Sequence, residues 1–371
     1  HVVWHEKYCI ELLEDLQLTH PQFIDLFLKS LALRSSYTHT NYISKLLQNY
    51  INKDDYSFVF SSFNINRIEY NPFIDLINHN LKGLTLSERD RLWTNCINEL
   101  DDLGDLEGFY SASFVMKVLK SNDEARKKYL IFIIWLLASS HPRVRDRITR
   151  IIFYIFKETP QVISSILDEF KNVNDLSILE RIFCATYGVI LLSKDKVLIN
   201  EIAEKTYGII YDNNLPIYHL HLRDWGIRIL QRAAYLDDDN GVYYEMSLPP
   251  YSNAKDLPQL ISEEQLETYL GSTLGSKKIY DSVCGFHDFN RYIIGTNTNT
   301  HSRTITTLFI GTDIESVDKN NISYLPLSDL KNYIISEIKD LGWSDKLGEL
   351  DNYKTSTDGR YDNKTERIGK K

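Results

Sequence analysis

Apolar residues recur at helical spacing along the segment that follows Pro142. Positions 144, 148, 151, 152 and 155 are Val or Ile and form one stripe on a helix with 3.6 residues per turn. Pro142 suits the first turn of this helix, where its missing N–H would have no partner. Residues 129–137 form an unbroken apolar run, which predicts a helix over residues 123–138 that is covered nearly all round. Together the two segments predict a helical hairpin.

The start of the helix at Pro142 recurs twice along the chain. Residues 175–182 can be laid over residues 141–148 at a shift of 34, which places Arg181 on Arg147. Residues 222–225 then match residues 144–147 after a further shift of 44. Unequal periods of this size predict a mostly α fold of HEAT/armadillo-like or TPR-like helical repeats, a solenoid in which each hairpin buries its apolar face against its neighbours. The alternative is an irregular α-domain that reuses one helix-start pattern.

The remaining pattern divides the chain into three predicted regions. Residues 1–120 form an N-terminal helical segment, either divergent repeats or a separate helical domain. Residues 121–236 form the HEAT-like repeats. Residues 237–371 are mixed and rich in loops, an irregular α+β region, because Pro, Gly and a Thr/Asn tract interrupt the helical pattern there. Within the last two regions we predict helices over 160–170, 176–192, 196–211, 216–236 and 328–341, and a strand over 303–310.

Two local signals mark helix ends in the first region. Ser87 with Asp90 three residues later has the form of a capping box, with Asp in place of the usual Glu, before an apolar stripe that includes Trp93. The acidic stretch over 101–108 carries two glycines and predicts a break between helices.

Composition describes an ordinary soluble globular protein. The 371 residues are 43% hydrophobic and 25% charged. We find no signal peptide and no apolar run of membrane length. The four cysteines lie far apart without a Cys-x-x-Cys pair, which favours reduced thiols in the cytoplasm over a zinc site or a disulfide framework. The start at His1 and the end at Lys371 suggest a piece of a larger protein.

The formal charge of −9 is unevenly spread along the chain. It is −5 over residues 1–120 (11 basic, 16 acidic), +3 over 121–236 (16 basic, 13 acidic) and −7 over 237–371 (15 basic, 22 acidic). The acidic total argues against nonspecific nucleic-acid binding, which depends on neutralising phosphates. The mildly basic centre is compatible with an acidic protein partner.

Three groups of residues approach known chemical motifs without completing one. Residues 271–278 read Gly-Ser-Thr-Leu-Gly-Ser-Lys-Lys, which is one residue short between the glycines and lacks the hydroxyl of a phosphate-binding loop, so we reject nucleotide binding. His219 and His221 with Asp224 offer metal-ligand types, but residues two apart on a helix face different ways.

Cys284, His287 and Asp288 could supply a nucleophile and a base for a small hydrolase. Their closeness in sequence carries little weight, because catalytic partners usually meet through the fold. We predict structural roles for these three residues and no catalytic, cofactor or metal site in this segment.

Several short motifs give the chain a family resemblance. These are residues 145–147 (Arg-Asp-Arg), 285–292 (Gly-Phe-His-Asp-Phe-Asn-Arg-Tyr), 340–343 (Asp-Leu-Gly-Trp), 359–362 (Gly-Arg-Tyr-Asp) and 366–371 (Glu-Arg-Ile-Gly-Lys-Lys). In this order they resemble the C-terminal part of large bacterial STAND NTPases of the antiviral Avs type, over roughly residues 120–371. In that family the last motif continues into a further helical segment, which this chain lacks.

The resemblance implies a noncatalytic sensor that binds a phage portal or large terminase protein and thereby triggers oligomerisation. The family's effector and its ATP- and Mg²⁺-binding NTPase module are absent here, so neither activity is carried over. Self-association is expected only of the full-length protein, and neither a nucleic-acid nor a membrane partner is expected. The alternative function is a general HEAT-type scaffold without a phage ligand.

The same helical spacing identifies a candidate partner-binding ridge. On the helix after Pro142, the apolar stripe leaves three arginines along its flank, and a later helix carries three more. Stacked repeats would bring both sets to one face, where Arg and Tyr are favoured interface anchors. The alternative is that these arginines pair with nearby Asp and Glu. The predicted ridge consists of Arg143, Arg147, Arg150, Arg223, Arg228, Arg232, Tyr243 and Tyr244.

Overall fold

The computed structural model describes residues 73–211, 217–236, 241–249 and 327–340, with a few isolated positions between the last two ranges. These residues are mostly α-helical, and none of them lies in a β-strand. The chain divides into two compact units. The larger consists of residues 1–84 and 92–254, and the smaller of residues 85–91 and 255–371.

The α-helices have the following bounds in chain order: α1 (Phe73–Gly83), α2 (Leu86–Arg89), α3 (Asn95–Leu103), α4 (Ala112–Lys120), α5 (Asp123–Trp135), α6 (Pro142–Glu158), α7 (Ile163–Phe170), α8 (Leu176–Leu192), α9 (Lys196–Ile210), α10 (Leu220–Leu236), α11 (Gly241–Met246) and α12 (Leu327–Asp340). Helices α2 and α12 belong to the smaller unit and the rest to the larger. Shorter 3₁₀ turns occupy Glu107–Tyr110, Leu136–Ala138 and Pro160–Val162, and a π-helical turn occupies Asp90–Thr94.

The apolar part of helix α5 is buried on all sides, as its continuous apolar run predicted. Residues 129–138 are all buried, and only the last turn departs from the predicted α-helix by tightening to 3₁₀. The indole N–H of Trp135 donates to Asn78 Oδ1 at 2.8 Å, and that of Trp93 donates to the Trp135 carbonyl at 2.8 Å. Because both indoles keep a hydrogen bond, their burial leaves no N–H unsatisfied.

Helix α6 begins where the sequence predicted, with Pro142 in its first turn and His141 as N-cap. Its apolar stripe is buried, which confirms the helical interpretation of the spacing. Full burial of one such Ile side chain contributes about 1.5–3 kcal/mol to folding. The buried stripe consists of Val144, Ile148, Ile151, Ile152 and Ile155.

Helices α6, α8 and α10 share one length and one spacing rule. Each has 17 residues, and they begin at residues 142, 176 and 220, which are the shifts of 34 and 44 predicted from the sequence. Helix α8 packs between α6 and α10. Helix α9 packs against both α10 and the short helix α7, and each long helix is followed along the chain by a shorter one.

The three long helices also pack in equal register. Arg181 Nη1 of α8 donates to Asp146 Oδ1 of α6 at 2.7 Å. Trp225 Nε1 of α10 donates to Glu180 Oε1 of α8 at 3.2 Å. Under the two shifts Asp146 corresponds to Glu180 and Arg181 to Trp225, so the same pair of positions joins each helix to the next. Asp146 at the start of α6 therefore forms an ion pair with Arg181 of the next long helix.

The predicted capping box at Ser87 and Asp90 is wrong. The helix starts two residues earlier, with Thr85 as N-cap. The Thr85 hydroxyl accepts from Glu88 N at 3.3 Å, and the Glu88 carboxylate accepts from Thr85 N at 2.9 Å. A Thr-x-x-Glu box satisfies two free N–H groups with the preferred residue types, so it defines the start and leaves Ser87 inside the helix.

The predicted break over residues 101–108 is confirmed. Helix α3 ends at Leu103, and Gly104 follows in the left-handed conformation with a φ of +80°. Its N–H donates to the Asp101 carbonyl at 3.0 Å. Glycine adopts this conformation without a Cβ clash, which explains why the chain can turn so sharply here.

Several predictions concern segments that the structure does not describe. The helices predicted before residue 72 and the strand over 303–310 lie outside the described residues, and the α+β character of the C-terminal region therefore stays a prediction. The helix predicted over 328–341 is present as α12. Among the described helices, none combines the length and the apolar character needed to cross a membrane.

Candidate protein-binding groove

The arginines of the predicted ridge on α6 differ in their surroundings. Arg143 Nη2 lies 3.2 Å from Asp101 Oδ1, and Arg147 Nη1 lies 2.7 Å from Glu107 Oε1. The Arg147 guanidinium also lies 4.9 Å from the centre of the Tyr110 ring, within cation–π range. Arg150 is exposed and has no ion-pair or hydrogen-bond partner among the described residues. Arg150 is therefore the ridge arginine of α6 with the most freedom to meet a partner.

Asp101 is the centre of a closed polar cluster beside Arg143. Its carboxylate is 5% exposed; Oδ1 accepts from the Tyr110 hydroxyl at 3.3 Å, and Oδ2 lies 3.4 Å from His141 Nδ1. Burial, together with the charge and hydrogen bond of Asp101, raises the pKa of Tyr110 well above its usual value. The cluster connects α3, the 3₁₀ turn Glu107–Tyr110 and the start of α6, and we assign it a structural role.

Asp101, Asp102 and His141 bring three possible metal-ligand atoms within 4.8 Å of one another. The Arg143 guanidinium already lies against Asp101, however, and its positive charge opposes the entry of a cation. Asp102 is exposed, as acidic residues at helix ends commonly are. The group supports no metal site.

A groove lies between α4 and α6, on the flank of α6 that carries Arg147 and Arg150. Its volume is about 880 Å³, and most of its lining is apolar. Met116 of α4 and Tyr154 of α6 contribute large side chains that are 50% and 54% exposed. The lining consists of Glu107, Tyr110, Ala112, Val115, Met116, Leu119, Arg147, Arg150, Ile151, Tyr154, Glu158 and Thr159.

Helix lengths explain why this groove is open. Helix α4 has nine residues, about 13 Å, whereas α6 has 17 residues, about 25 Å. On its other flank α6 is covered by the equally long α8. Among the described helices, α4 is the one that lines this groove opposite α6, and it is about half as long as α6.

The ridge residues of α10 and α11 are largely engaged with their own surroundings. Arg228 Nε pairs with Asp224 Oδ2 at 2.9 Å, and Arg232 Nη2 donates to the Ser193 carbonyl at 3.3 Å. The Arg223 guanidinium lies 5.6 Å from the Tyr218 ring centre.

The two tyrosines of the ridge lie on α11, which packs against α10 and α9. Tyr243 packs against Tyr207 of α9, with ring centres 5.1 Å apart. Tyr244 is half-buried against the core of the larger unit. Both rings therefore have part of their surface covered by the protein itself.

The two sets of ridge arginines lie on separate helices with α8 between them. Because the helices pack in equal register, Arg150, Cys184 and Arg228 occupy the same position on α6, α8 and α10. Arg150 and Arg228 are both exposed. The structure thus brings one arginine of each set into a common row, and whether this row binds a partner stays a prediction.

The histidine pair has a structural explanation. His219 Nδ1 accepts from the Leu222 N–H at 3.1 Å and so caps the start of α10. Burial lowers the pKa of His219, with a smaller contribution from His221, and this shift favours the neutral imidazole that can accept the bond. The two rings are 6.3 Å apart, centre to centre, and Asp224 pairs with Arg228 instead.

The surroundings of Cys184 do not favour a role as a nucleophile. Burial raises the pKa of the Cys184 thiol, which disfavours the reactive thiolate. Cys284 is half-buried, while His287, Asp288 and the rejected phosphate-loop sequence at 271–278 lie outside the described residues. The predicted structural role of the Cys284 group therefore stays a prediction.

Sequence reasoning missed the apolar members of the groove. Tyr154 lies 11, 7 and 4 residues after the three arginines of α6, on the same helical stripe, so its spacing could have included it in the ridge. Met116 gave no such signal, because an apolar residue on a short amphipathic helix normally faces the core.

No protein-family model, curated protein or solved structure matches this chain.

Proposed function

We propose that this region recognises a protein partner and catalyses no reaction, and that the partner is a phage structural or packaging protein such as a portal or large terminase. One observation carries the recognition part of the proposal. Three long helices pack side by side in equal register and present rows of equivalent side chains across several helices. The phage target comes from the resemblance to Avs-type sensors.

The packing order supports a HEAT-like solenoid as the architecture. Each long helix is followed along the chain by a shorter one, and contacts join α6 to α8, α8 to α10 and α7 to α9. A solenoid buries each repeat only against its neighbours, so it leaves a long surface that can read the shape of a folded protein. An enzyme instead needs convergent chemical groups in one pocket.

The charge of the exposed row favours an acidic surface on the partner. Arg150 and Arg228 lie at equivalent exposed positions, and Arg150 has no partner among the described residues. Exposed charges of this kind mainly raise the association rate and fix orientation, and salt screens them. We therefore expect association with the target to slow as the salt concentration rises.

Co-purification of the full chain with co-expressed phage portal and large terminase proteins tests the proposal. We expect one of them to bind, and the double variant Arg150→Glu, Arg228→Glu to bind more slowly and with altered salt dependence. The control is Lys194→Glu, Lys196→Glu, which makes the same change in charge at exposed positions before and at the start of α9.

Two results would contradict the proposal. If neither phage protein binds while the parent protein still protects cells, the sensing role is wrong for this region. If the arginine and lysine double variants slow association equally, net charge rather than the row on α6 and α10 guides the partner. Arg143→Glu is unsuitable here, because it would place a second carboxylate against the buried Asp101.

A further inference from the structure

The groove between α4 and α6 combines an apolar floor with exposed large side chains. Val115, Leu119 and Ile151 line it, while Met116 and Tyr154 stand half-exposed at its sides. Large apolar side chains that flank an apolar groove are typical of sites that receive a partner's side chains.

The charges along the groove have a defined order. At one end Arg147 is already neutralised by Glu107 at 2.7 Å. Arg150 and Glu158 are both exposed groove residues without an ion-pair partner among the described residues. They are eight residues apart on one helix, which corresponds to about 12 Å along its axis. The groove therefore offers one unpaired positive charge and one unpaired negative charge, two turns of helix apart, with Tyr154 midway between them.

From this arrangement we infer that the groove binds an amphipathic helix of the partner protein, with apolar anchors between Met116 and Tyr154, a carboxylate opposite Arg150 and a basic side chain opposite Glu158. In a helix that lies along α6, the side chains at positions i and i+8 are also about 12 Å apart along the axis, and the side chain at i+4 lies midway between them. The two charges lie at the ends of this interval and the apolar anchors between them.

The same features disfavour other ligand classes. A nucleic acid would bring phosphates along the whole groove, where the Arg147–Glu107 pair offers no net positive charge and Glu158 would repel them. A purely acidic or purely basic peptide would satisfy one unpaired charge and oppose the other. Only a segment with both charges at the right spacing satisfies Arg150 and Glu158 together.

This inference deepens the proposed function, because it names the chemistry of the partner segment. Selection from a display library of helical peptides tests it on the full chain. The library has fixed leucines at i, i+3, i+7 and i+11 and random residues elsewhere. We expect selected peptides to carry an acidic and a basic residue about eight positions apart.

Charge variants then locate the two contacts. Selected peptides should bind Arg150→Glu and Glu158→Lys roughly three- to tenfold more weakly. Arg150→Glu should gain affinity for peptides in which the acidic residue is replaced by lysine, and Glu158→Lys for those in which the basic residue is replaced by glutamate. Tyr154→Glu should abolish binding, whereas Tyr235→Glu, at a 79% exposed site on α10, should not.

Three outcomes would overturn the inference. One is a selection that enriches no charge pair, and another is a set of peptides that bind Tyr154→Glu as well as the unchanged protein. The third is a dimer of the chain, seen by sedimentation, that Tyr154→Glu dissociates, because a second copy would then occupy the groove. The peptides do not depend on a phage protein, so this test can fail while the co-purification succeeds, and the reverse.

Discussion

Replacing Gly226 by alanine would add a methyl group where α10 lies closest to α9. The new Cβ would lie 2.9 Å from Ile210 Cδ1 and 3.0 Å from both Cε2 and the hydroxyl oxygen of Tyr211. Neither neighbour can move freely. Ile210 is fully buried, and the buried Tyr211 hydroxyl donates to the Arg223 carbonyl at 2.5 Å.

Two opposing effects set the size of the change in stability. Alanine favours a helix interior over glycine by about 1 kcal/mol. Inserting a methyl group into a packed contact costs about 1–3 kcal/mol. We therefore expect Gly226→Ala to lower the free energy of unfolding by about 0–2 kcal/mol, with α10 displaced from α9 or the Tyr211 hydrogen bond weakened.

Gly208→Ala is the matched control, because it changes the same residue type within α9 at an exposed site with no atom within 4 Å of the new Cβ. It should raise the free energy of unfolding by up to about 1 kcal/mol. The difference between the two variants removes the helix-propensity contribution and should equal the packing cost of about 1–3 kcal/mol. Denaturant unfolding followed by circular dichroism measures both values.

Gly188→Ala provides an intermediate case. Its Cβ would lie 2.9 Å from Cδ2 of Phe153, but that ring is only half-buried and can turn aside. The free energy of unfolding of Gly188→Ala should fall between those of Gly226→Ala and Gly208→Ala. If Gly226→Ala is as stable as Gly208→Ala, the close approach of α10 to α9 is wrong.

Three further changes test local features. The pKa of His219 is lowered in the folded protein. The stability that neutral His219 contributes to the fold is therefore present above about pH 6.5, and it is lost as the pH falls below that value. His219→Asn keeps a cap for the Leu222 N–H without titrating, and its melting temperature should fall less between pH 8 and pH 5; equal losses would show that the cap does not titrate. Gly104→Ala should cost about 1–2 kcal/mol in chemical denaturation, because a left-handed residue disfavours a Cβ, and an unchanged midpoint would refute the φ of +80°. A double-mutant cycle of Asp146→Ala and Arg181→Ala should give a coupling of about 0.2–1 kcal/mol, since Asp146 is half-exposed; a value above 2 kcal/mol would mean a dry, buried pair.

Helices α5 to α10 were predictable because each has a local cause. Pro142 defines the start of α6, and a buried stripe at 3.6-residue spacing defines its face. The shifts of 34 and 44 located the starts of α8 and α10, because the same packing position needs the same residue types in each helix. Each of these signals consists of residues in the helix that it defines.

The misplaced capping box shows the limit of local signals. Ser87 with Asp90 and Thr85 with Glu88 overlap in sequence, and only the second pair makes both hydrogen bonds of the box.

The close contact at Gly226 could not be predicted for a different reason. At the shift of 44 it replaces Ile182, and nothing near it in sequence shows that the Tyr211 ring occupies the space. A contact of that kind depends on how two helices approach each other.

The groove itself was not predictable from periodicity, and the reason is its origin in a difference of length. A pattern of apolar positions shows which face of α6 is covered, but not how far the covering helix extends. Because α4 has nine residues and α6 has 17, the stripe of Arg147, Arg150 and Tyr154 lies beside the open groove. On α8 the corresponding positions are Arg181, Cys184 and Gly188, where Arg181 pairs with Asp146 and the Phe153 ring lies over Gly188. The same repeat position is thus a packing contact where the neighbouring helix is long and an exposed surface where it is short.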